Sequence, residues 1–466
     1  MNSNDAMSAS RRGFLKRASG VALAGMAAPW AINLAAMASA SAAGAADYKA
    51  LVCVFLYGGN DYANTVVCYD PVSHAAYVRA RPSFALARES LAATALIPVL
   101  EPRDASGMAH QYALAPTLAP LHGLFNAGKL GVVLNVGTLV EPVTKLQWTS
   151  GSGRLPPRLL SHNDQHSVWE SGSPEGGASG WGGRMGDLFV SNNTNHAFTC
   201  INLAGNSVFL SGKTASQYQV AASGSAAFLG LSGTLFGSAS ASAAMRTLIT
   251  QPRSHLLENE YNRVCKRSIE ANQLLGTALS TTAMPVTPFP RDNSLADQLK
   301  MVARIIGAAP VLGAKRQVFL VGAGGFDTHD GMLEEHPRLM AQVAGALAAF
   351  YSATVELGVA DQVTSFTASE FGRTLNSNGN GTDHGWGSMH FVMGGAVQGK
   401  RFYGTAPIVA DNGPDDIGQG RLLPTTSVEQ LAATLGGWFG VSDSDLLDML
   451  PNLANFNPSS RNLGFV

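Results

Sequence analysis

Short, unbroken apolar runs bounded by glycine and polar residues recur along the chain. Ala50–Tyr57, Ala-Leu-Val-Cys-Val-Phe-Leu-Tyr, has the length of a strand and stops at Gly58-Gly59, the pattern of a strand buried on both faces. Similar runs at Leu130–Val136, Ala197–Leu203, Gln317–Val321, Val363–Ala368 and Phe391–Gly395 predict further strands. Helical spacing separates several of them. Ser294–Leu312 opens with a Ser cap and an early Asp, and Pro337–Leu357 has proline in its first turn and ends at Gly358. Such alternation predicts βαβ units, hence an α/β fold with a mostly parallel central sheet and helices on both faces. Between Gly205 and Ala244 the pattern lapses into Gly, Ala and Ser, with a few large residues such as Phe228, Leu231 and Phe236. We expect an insertion or cap there. With the helical segment Arg253–Leu279 beside it, the insertion covers about residues 205–290. Asn376–Gly381 reads as a turn-rich loop, and there is no tandem repeat.

The first residues follow another logic. Ser10-Arg11-Arg12-Gly13-Phe14-Leu15-Lys16 leads into the weakly hydrophobic run Ala18–Met37, which contains Pro29, Trp30 and Asn33 and ends in small residues from Ala38 to Ala46. This is the order of a twin-arginine signal peptide, assigned to residues 1–46 and removed from the mature protein. A single membrane anchor is the other reading, because the run approaches the roughly 20 residues that span a bilayer. The signal reading predicts export by the twin-arginine machinery, already folded, to the periplasm or the outside of the cell, with no stable membrane insertion after cleavage. Residues 47–466 then form one large α/β domain.

Composition narrows the partners. Lys and Arg number 31 against 32 Asp and Glu, and charged residues make up 14% of the chain, so no long-range field favours nucleic acid or an anionic membrane. Cys53, Cys68, Cys200 and Cys265 form no C-x-x-C pair, which argues against a zinc ribbon or redox motif. Buried thiols are expected, with one bridge still open in an oxidising compartment.

Candidate chemistry gathers where predicted strands end, the edge at which open parallel sheets bind ligands. Gly58-Gly59-Asn60-Asp61 follows the first strand and brings the Asp61 carboxylate to that edge, although such a tetrapeptide is also an ordinary turn. Gly324-Gly325-Phe326-Asp327-Thr328-His329-Asp330 follows another; carboxylate and imidazole two residues apart on an extended segment can reach one cation. Capping of the next helix accounts for Asp330 better than for His329. After Val363–Ala368 come Ser369-Glu370-Phe371-Gly372-Arg373-Thr374 and then Thr382-Asp383-His384-Gly385-Trp386-Gly387. Adjacent Asp and His are costly to bury unpaired, and a metal would pair both. Ser161-His162-Asn163-Asp164-Gln165-His166 supplies a candidate nucleophile, Ser161, beside a candidate acid or base, His162; helix capping by Ser161 or Asn163 is the alternative. Arg184, in Gly180-Trp181-Gly182-Gly183-Arg184, is available for an anion.

The twin-arginine start, Gly-Gly-Asn-Asp, Ser-His-x6-Trp-Glu, Phe-Asp-Thr-His-Asp, Ser-Glu-Phe-Gly-Arg-Thr and Gly-Thr-Asp-His-Gly-Trp-Gly together resemble the bacterial family called domain of unknown function 1501. The order strand-Asp, strand-Asp-x-His, strand-acid-x-Gly and a later His also resembles the alkaline phosphatase superfamily of phosphatases, arylsulfatases and phosphoglycerate mutases. That resemblance implies an alkaline-phosphatase-like fold and a metal set of Asp61, Asp327, His329, Glu370 and His384, with Asp383 beside His384 as a further member. His329 or Asp383 could instead orient a ligand without touching the cation. Zinc is the first expectation, with manganese, iron and calcium as alternatives. One departure stands out: the superfamily's Asp-His-Gly is Glu370-Phe371-Gly372 here, so one of two metal positions lacks its histidine. The implied activity is hydrolysis of phosphate or sulfate esters of a small molecule or polymer. Ser161 or a metal-bound hydroxide would attack, and Arg373 or Arg184 would grip the non-bridging oxygens. The alternative is a non-catalytic, metal-binding exported protein that holds a polymer or protein partner.

Overall fold

A computed structural model describes residues 48–224, 231 and 233–466. The twin-arginine segment lies outside the described residues. Lys49–Leu56, the strand expected at Ala50–Tyr57, runs through the centre of the sheet, parallel to Arg316–Ala323 on one side and to Val363–Ala368 on the other. Seven of its eight residues are buried. Both faces are covered: Val52 and Val54 belong to the main core with Met340 and Val343 of helix Met332–Glu356 and Val302 of helix Ser294–Gly307, whereas Phe55 meets Trp169 of helix His162–Ser171 edge-on at 5.3 Å. Coverage on both sides explains why the strand reads as an unbroken apolar run.

Beyond Val363–Ala368 the sheet continues with Ser388–Gly394, Leu130–Gly137 and Phe402–Tyr403; beyond Arg316–Ala323 it continues with Cys200–Asn202 and Gln217–Gln219. Thr426–Ser427 also pairs with Leu130–Gly137. Among these strands Ser388–Gly394 alone runs antiparallel to its neighbours. The register positions the chemistry. Phe55 lies level with both Gly322 and Ala368, so the loops beginning at Gly58, Gly324 and Ser369 leave the sheet at one edge. Because Ser388–Gly394 is reversed, it starts at that edge, and the preceding hairpin of Arg373–Ser377 and Thr382–His384 lies there too. Helix His162–Ser171, reached after Leu130–Gly137 ends at the same edge, completes the gathering.

Several expectations are adjusted. The strand expected over Ala197–Leu203 shrinks to Cys200–Asn202, because Asn195 caps a short turn at His196–Phe198. The helix expected at Pro337 starts at Met332, leaving Pro337 inside it, and Ser294–Leu312 divides after Gly307 into two helices. Gly205–Ala244 is not wholly outside the sheet: Gln217–Gln219 forms its edge strand, too short and too exposed to carry an apolar signature. The segment Arg253–Leu279 forms the long helix Leu256–Thr281. All four cysteines are unpaired, three of them buried. Among the described residues no helix is long and apolar enough to cross a membrane.

Candidate metal centre

At the carboxyl edge, Asp327 is the hub. Its loop is pressed onto the first strand's loop because Gly58 adopts a φ of +119°, and a Cβ there would overlap the Asp327 backbone. The hairpin turn closes from the other side through Gly381, where a Cβ would collide with Thr328 and His329. Around Asp327 stand three imidazoles. His162 Nε2 lies 3.2 Å from its Oδ2, and His329 Nε2 and His384 Nε2 each lie 3.2 Å from its Oδ1. Candidate ligand atoms of His162, Asp327 and His384 fall within 4.8 Å of one another. Asp327 is 42% exposed and His329 45%, so the cluster opens to solvent.

Each ring is held from behind. His162 Nδ1 is 2.8 Å from Glu370 Oε1, His329 Nδ1 is 3.2 Å from Asp383 Oδ1, and His384 Nδ1 is 2.6 Å from the Leu160 carbonyl. A carbonyl or carboxylate oxygen only accepts, so in every case Nδ1 is the donor. In the neutral ring Nε2 then carries the lone pair that faces the cluster, and the 3.2 Å approach of His384 Nε2 to Asp327 Oδ1 calls for a proton or a cation between them. Two consequences follow. His329 Nε2 and His384 Nε2 sit 2.9 Å apart with lone pairs opposed, an arrangement that needs a shared proton or a shared cation. His162 Nε2, although close to Asp327, lacks hydrogen-bond alignment and is a buried nitrogen without a partner. Burial holds the His384 imidazole below its ordinary pKa, which disfavours an extra proton there. The hydrogen bond to Glu370 instead raises that of His162. For Asp327, burial pushes the carboxyl up, but the hydrogen bond and charge of Arg373 outweigh it and keep it ionised.

The family described as protein of unknown function (DUF1501) matches residues 48–450. The chain belongs to this family. The curated proteins hold no match to the sequence. Solved structures similar to this DUF1501 chain include Ps i-CgsB in complex with k-i-k-neocarrahexaose, at 12% identity and a TM-score of 0.35, covering 88% of this chain and 77% of that one. The lipoteichoic acid synthase LtaP from Listeria monocytogenes matches at 9% identity and a TM-score of 0.34, over 87% and 76% of the two chains. A protein from a study of glycosaminoglycan metabolism by Bacteroides thetaiotaomicron matches at 11% and 0.35, over 86% and 74%.

Within this DUF1501 chain, the residues singled out in the sequence separate into three groups. His162, Asp327, His329 and His384 converge. Glu370 and Asp383, expected as ligands, stand one layer back and hold His162 and His329. Glu370 is 4% exposed and also accepts the Gly58 N–H at 2.9 Å, so backbone and imidazole occupy its Oε1.

Asp61 is not brought in. Its carboxylate is fully buried and takes Arg81 Nη1 on both oxygens, at 2.8 and 3.0 Å, and the Asn64 N–H at 2.8 Å. Burial pushes its pKa up, but Arg81 overrides this and keeps it low. The ion pair with Arg81 neutralises it. Arg373, expected to grip a substrate anion, is likewise buried, and its donors go to Asp327 at 2.6 Å, Gly58 O at 3.1 Å and both Thr382 oxygens. Arg184 donates to the carbonyls of Met449, Ser179 and Ser171. Neither guanidinium presents a free fork. Ser161 adjoins His162 in the chain, but its hydroxyl donates to Asp164 Oδ2 at 2.8 Å. Three contributors have no signal in the sequence: Arg81, the Leu160 carbonyl, and Arg421, which donates to the His384 carbonyl at 2.8 Å.

Proposed function

We propose that this chain is an exported, metal-dependent hydrolase of phosphate or sulfate esters that holds a divalent cation among His162, His384, His329 and Asp327. The carrying observation is the orientation of three imidazoles by oxygen acceptors so that their Nε2 lone pairs face one carboxylate, with one of those nitrogens buried and unpartnered. Rings held by outer oxygen acceptors characterise protein metal sites. Three nitrogens and a carboxylate suit zinc, iron or manganese better than calcium, which takes oxygen ligands.

A bound cation would polarise an ester oxygen and lower the pKa of water. The chain's own residues have separate tasks. Glu370, Asp383 and Leu160 fix the rings, and Arg373 keeps Asp327 ionised. The opening at Asp327 and His329 admits substrate. Phosphate and sulfate esters are supported by the order of motifs, and export by the paired Arg11-Arg12. A second reading, metal binding without turnover, draws on a specific observation: neither Arg373 nor Arg184 is free for an anion, and the Ser161 hydroxyl is engaged elsewhere.

Protein isolated from the periplasm should contain metal by elemental analysis and cleave an aryl phosphate or aryl sulfate. Chelation and Asp327→Ala should abolish both properties. Metal without turnover on either ester selects the second reading. A metal-free protein whose Asp327→Ala variant binds added zinc as the parent does overturns both. Arg11→Lys with Arg12→Lys should leave the precursor in the cytoplasm, and unaltered export would remove the localisation.

A further inference from the structure

Helix Leu256–Thr281 extends past the surface that holds it. In its C-terminal half Ala271, Leu275 and Ala278 are buried against the domain. The same seam of alternating four- and three-residue steps continues toward the N-terminus through Ser268, Val264, Tyr261 and Leu257, which is a heptad pattern with Tyr261, Ser268 and Leu275 at a and Leu257, Val264, Ala271 and Ala278 at d. There it leaves the domain: Val264 is 46% exposed, Tyr261 66% and Leu257 73%. The neighbouring helix Ala239–Thr250 uses a different face, fastened by Asn262 donating to the carbonyls of Leu248 and Gln251. Beside the free stripe opens a groove of about 1020 Å³, lined by Val264, Ser268, Ala271 and Leu274 on the helix side and Tyr218 and Leu312 on the other. Contiguous exposed apolar surface of this kind marks an association site.

We propose that the stripe is the interface of a homodimer in which Leu256–Thr281 packs antiparallel against the same helix of a second copy. The proposal is independent of the metal centre. Antiparallel packing sets Tyr261 against Val264 and Leu257 against Ser268 of the other copy, so that Leu257 fills the mouth of the groove. That register brings Glu260 opposite Arg267, both at g, twice by symmetry. In the single chain these two already lie 3.0 Å apart with side chains 50% and 66% exposed, so they exchange partners on association. Parallel packing would set Glu260 against Cys265 and Arg267 against Asn272 and gain no ion pair. Antiparallel association thus trades two exposed intrachain pairs for two interchain pairs beside the buried seam, a match that parallel packing lacks and that favours a second copy in this direction.

The test is sedimentation of the mature protein, paired with cysteine cross-linking. In a Cys265→Ser background, Leu257→Cys with Ser268→Cys should give a disulfide-linked dimer. The two positions are 11 residues apart on one helix, about 16 Å, too far for an internal bridge. Tyr261→Glu, at an exposed position, should give monomers with an unchanged circular dichroism spectrum. Glu260→Arg or Arg267→Glu alone should weaken association about tenfold, and the two together should restore it. A monomeric wild type at its highest soluble concentration overturns the proposal. So does efficient cross-linking through Leu257→Cys alone, the mark of parallel pairing. Monomers that bind lipid vesicles through Tyr261 would instead make the stripe a membrane contact and also overturn it.

Discussion

Asp61 and Asp327 follow neighbouring parallel strands, hang from the same edge of one sheet and both accept from an arginine, yet they do opposite jobs. Asp61 is sealed: Arg81 covers both its oxygens, each partner is fully buried, and Arg81 also donates to the carbonyls of Thr374 and Leu375 at 2.7 Å. Asp327 meets Arg373 through Oδ1, leaves Oδ2 facing His162, and is open to water. Histidines divide in the same way. His336 is buried near Asp61 and donates to Asn60 Oδ1, whereas His162, His329 and His384 turn lone pairs toward Asp327. A carboxylate at a strand end becomes a candidate ligand when the protein leaves its neutralisation incomplete. Where the protein supplies the whole countercharge, the same residue type is a structural rivet.

The largest effect should come from breaking the rivet. Arg81→Ala leaves Asp61 buried without its cation and strips two carbonyls of a donor, so stability should fall by about 3–5 kcal/mol. Chemical denaturation would measure it. Asp327→Asn, at the open centre, keeps an acceptor for the buried Arg373 but removes its countercharge; because Asp327 is open to water, the metal-free protein should lose clearly less stability than Arg81→Ala does. Equal losses in the two variants would break the comparison.

Next comes acid. Burial depresses the His336 pKa from 6.5 to about 4, against the pull of Asp61. The unfolded chain therefore binds a proton below 6.5 that the folded chain refuses until about 4, so stability is full above that window and falls as pH drops through it. The loss amounts to roughly 3 kcal/mol by the lower end of the window. The sign for His162 is opposite: its raised pKa contributes stability below the unfolded value, lost as pH rises through the folded one. His336→Gln, which retains an N–H donor, should lose less stability than the parent between neutral pH and the acid end of the window. Identical pH profiles would show that His336 is not the sensor.

A smaller effect is expected one layer behind the cluster. Glu370→Gln keeps an acceptor for Gly58 N–H but weakens the hold on His162, and zinc affinity should drop about 10- to 100-fold with stoichiometry unchanged. Competition with a coloured chelator reads this directly. Loss of one equivalent of metal from a two-metal protein would instead restore Glu370 as a ligand.

How much of this was legible in the chain depends on what each residue faces. Lys49–Leu56 and Val363–Ala368 are buried on both faces, so their apolar runs announce them. Gln217–Gln219 sits half-exposed at the sheet edge, and Gln-Tyr-Gln carries no such run. Asp327, His329 and His384 were visible as polar residues where strands end. The Asp61–Arg81 pair was not, because Arg81 comes from the end of a helix 20 residues away and no local period ties the two together. The candidate ligand Asp327 and the carboxylates behind it, Glu370 and Asp383, are the same class of residue near the same edge of the sheet. Which of them faces the cluster and which stands behind it is set by how the loops pack on one another at Gly58 and Gly381, a long-range property.

The smallest expected effect belongs to Ser161, and it sharpens the contrast by testing whether proximity in the chain implies chemistry. Ser161 precedes His162, whose ring enters the cluster, and on sequence it is the natural nucleophile. Its hydroxyl, however, donates to Asp164 Oδ2 within its own helix, and Asp164 is 5% exposed, so this acceptor is fixed. Reaching a substrate would require breaking that bond and leaving a buried carboxylate oxygen short of a donor, an unfavourable exchange of about 1–3 kcal/mol. Ser161→Ala should therefore leave metal content intact and change turnover by less than about twofold, with stability lowered by about 1–3 kcal/mol because a buried Asp164 oxygen loses its donor. Turnover falling by orders of magnitude, with metal retained, would reinstate Ser161 as the attacking group. Unchanged turnover leaves water as the nucleophile and places all the chemistry on the open side of Asp327.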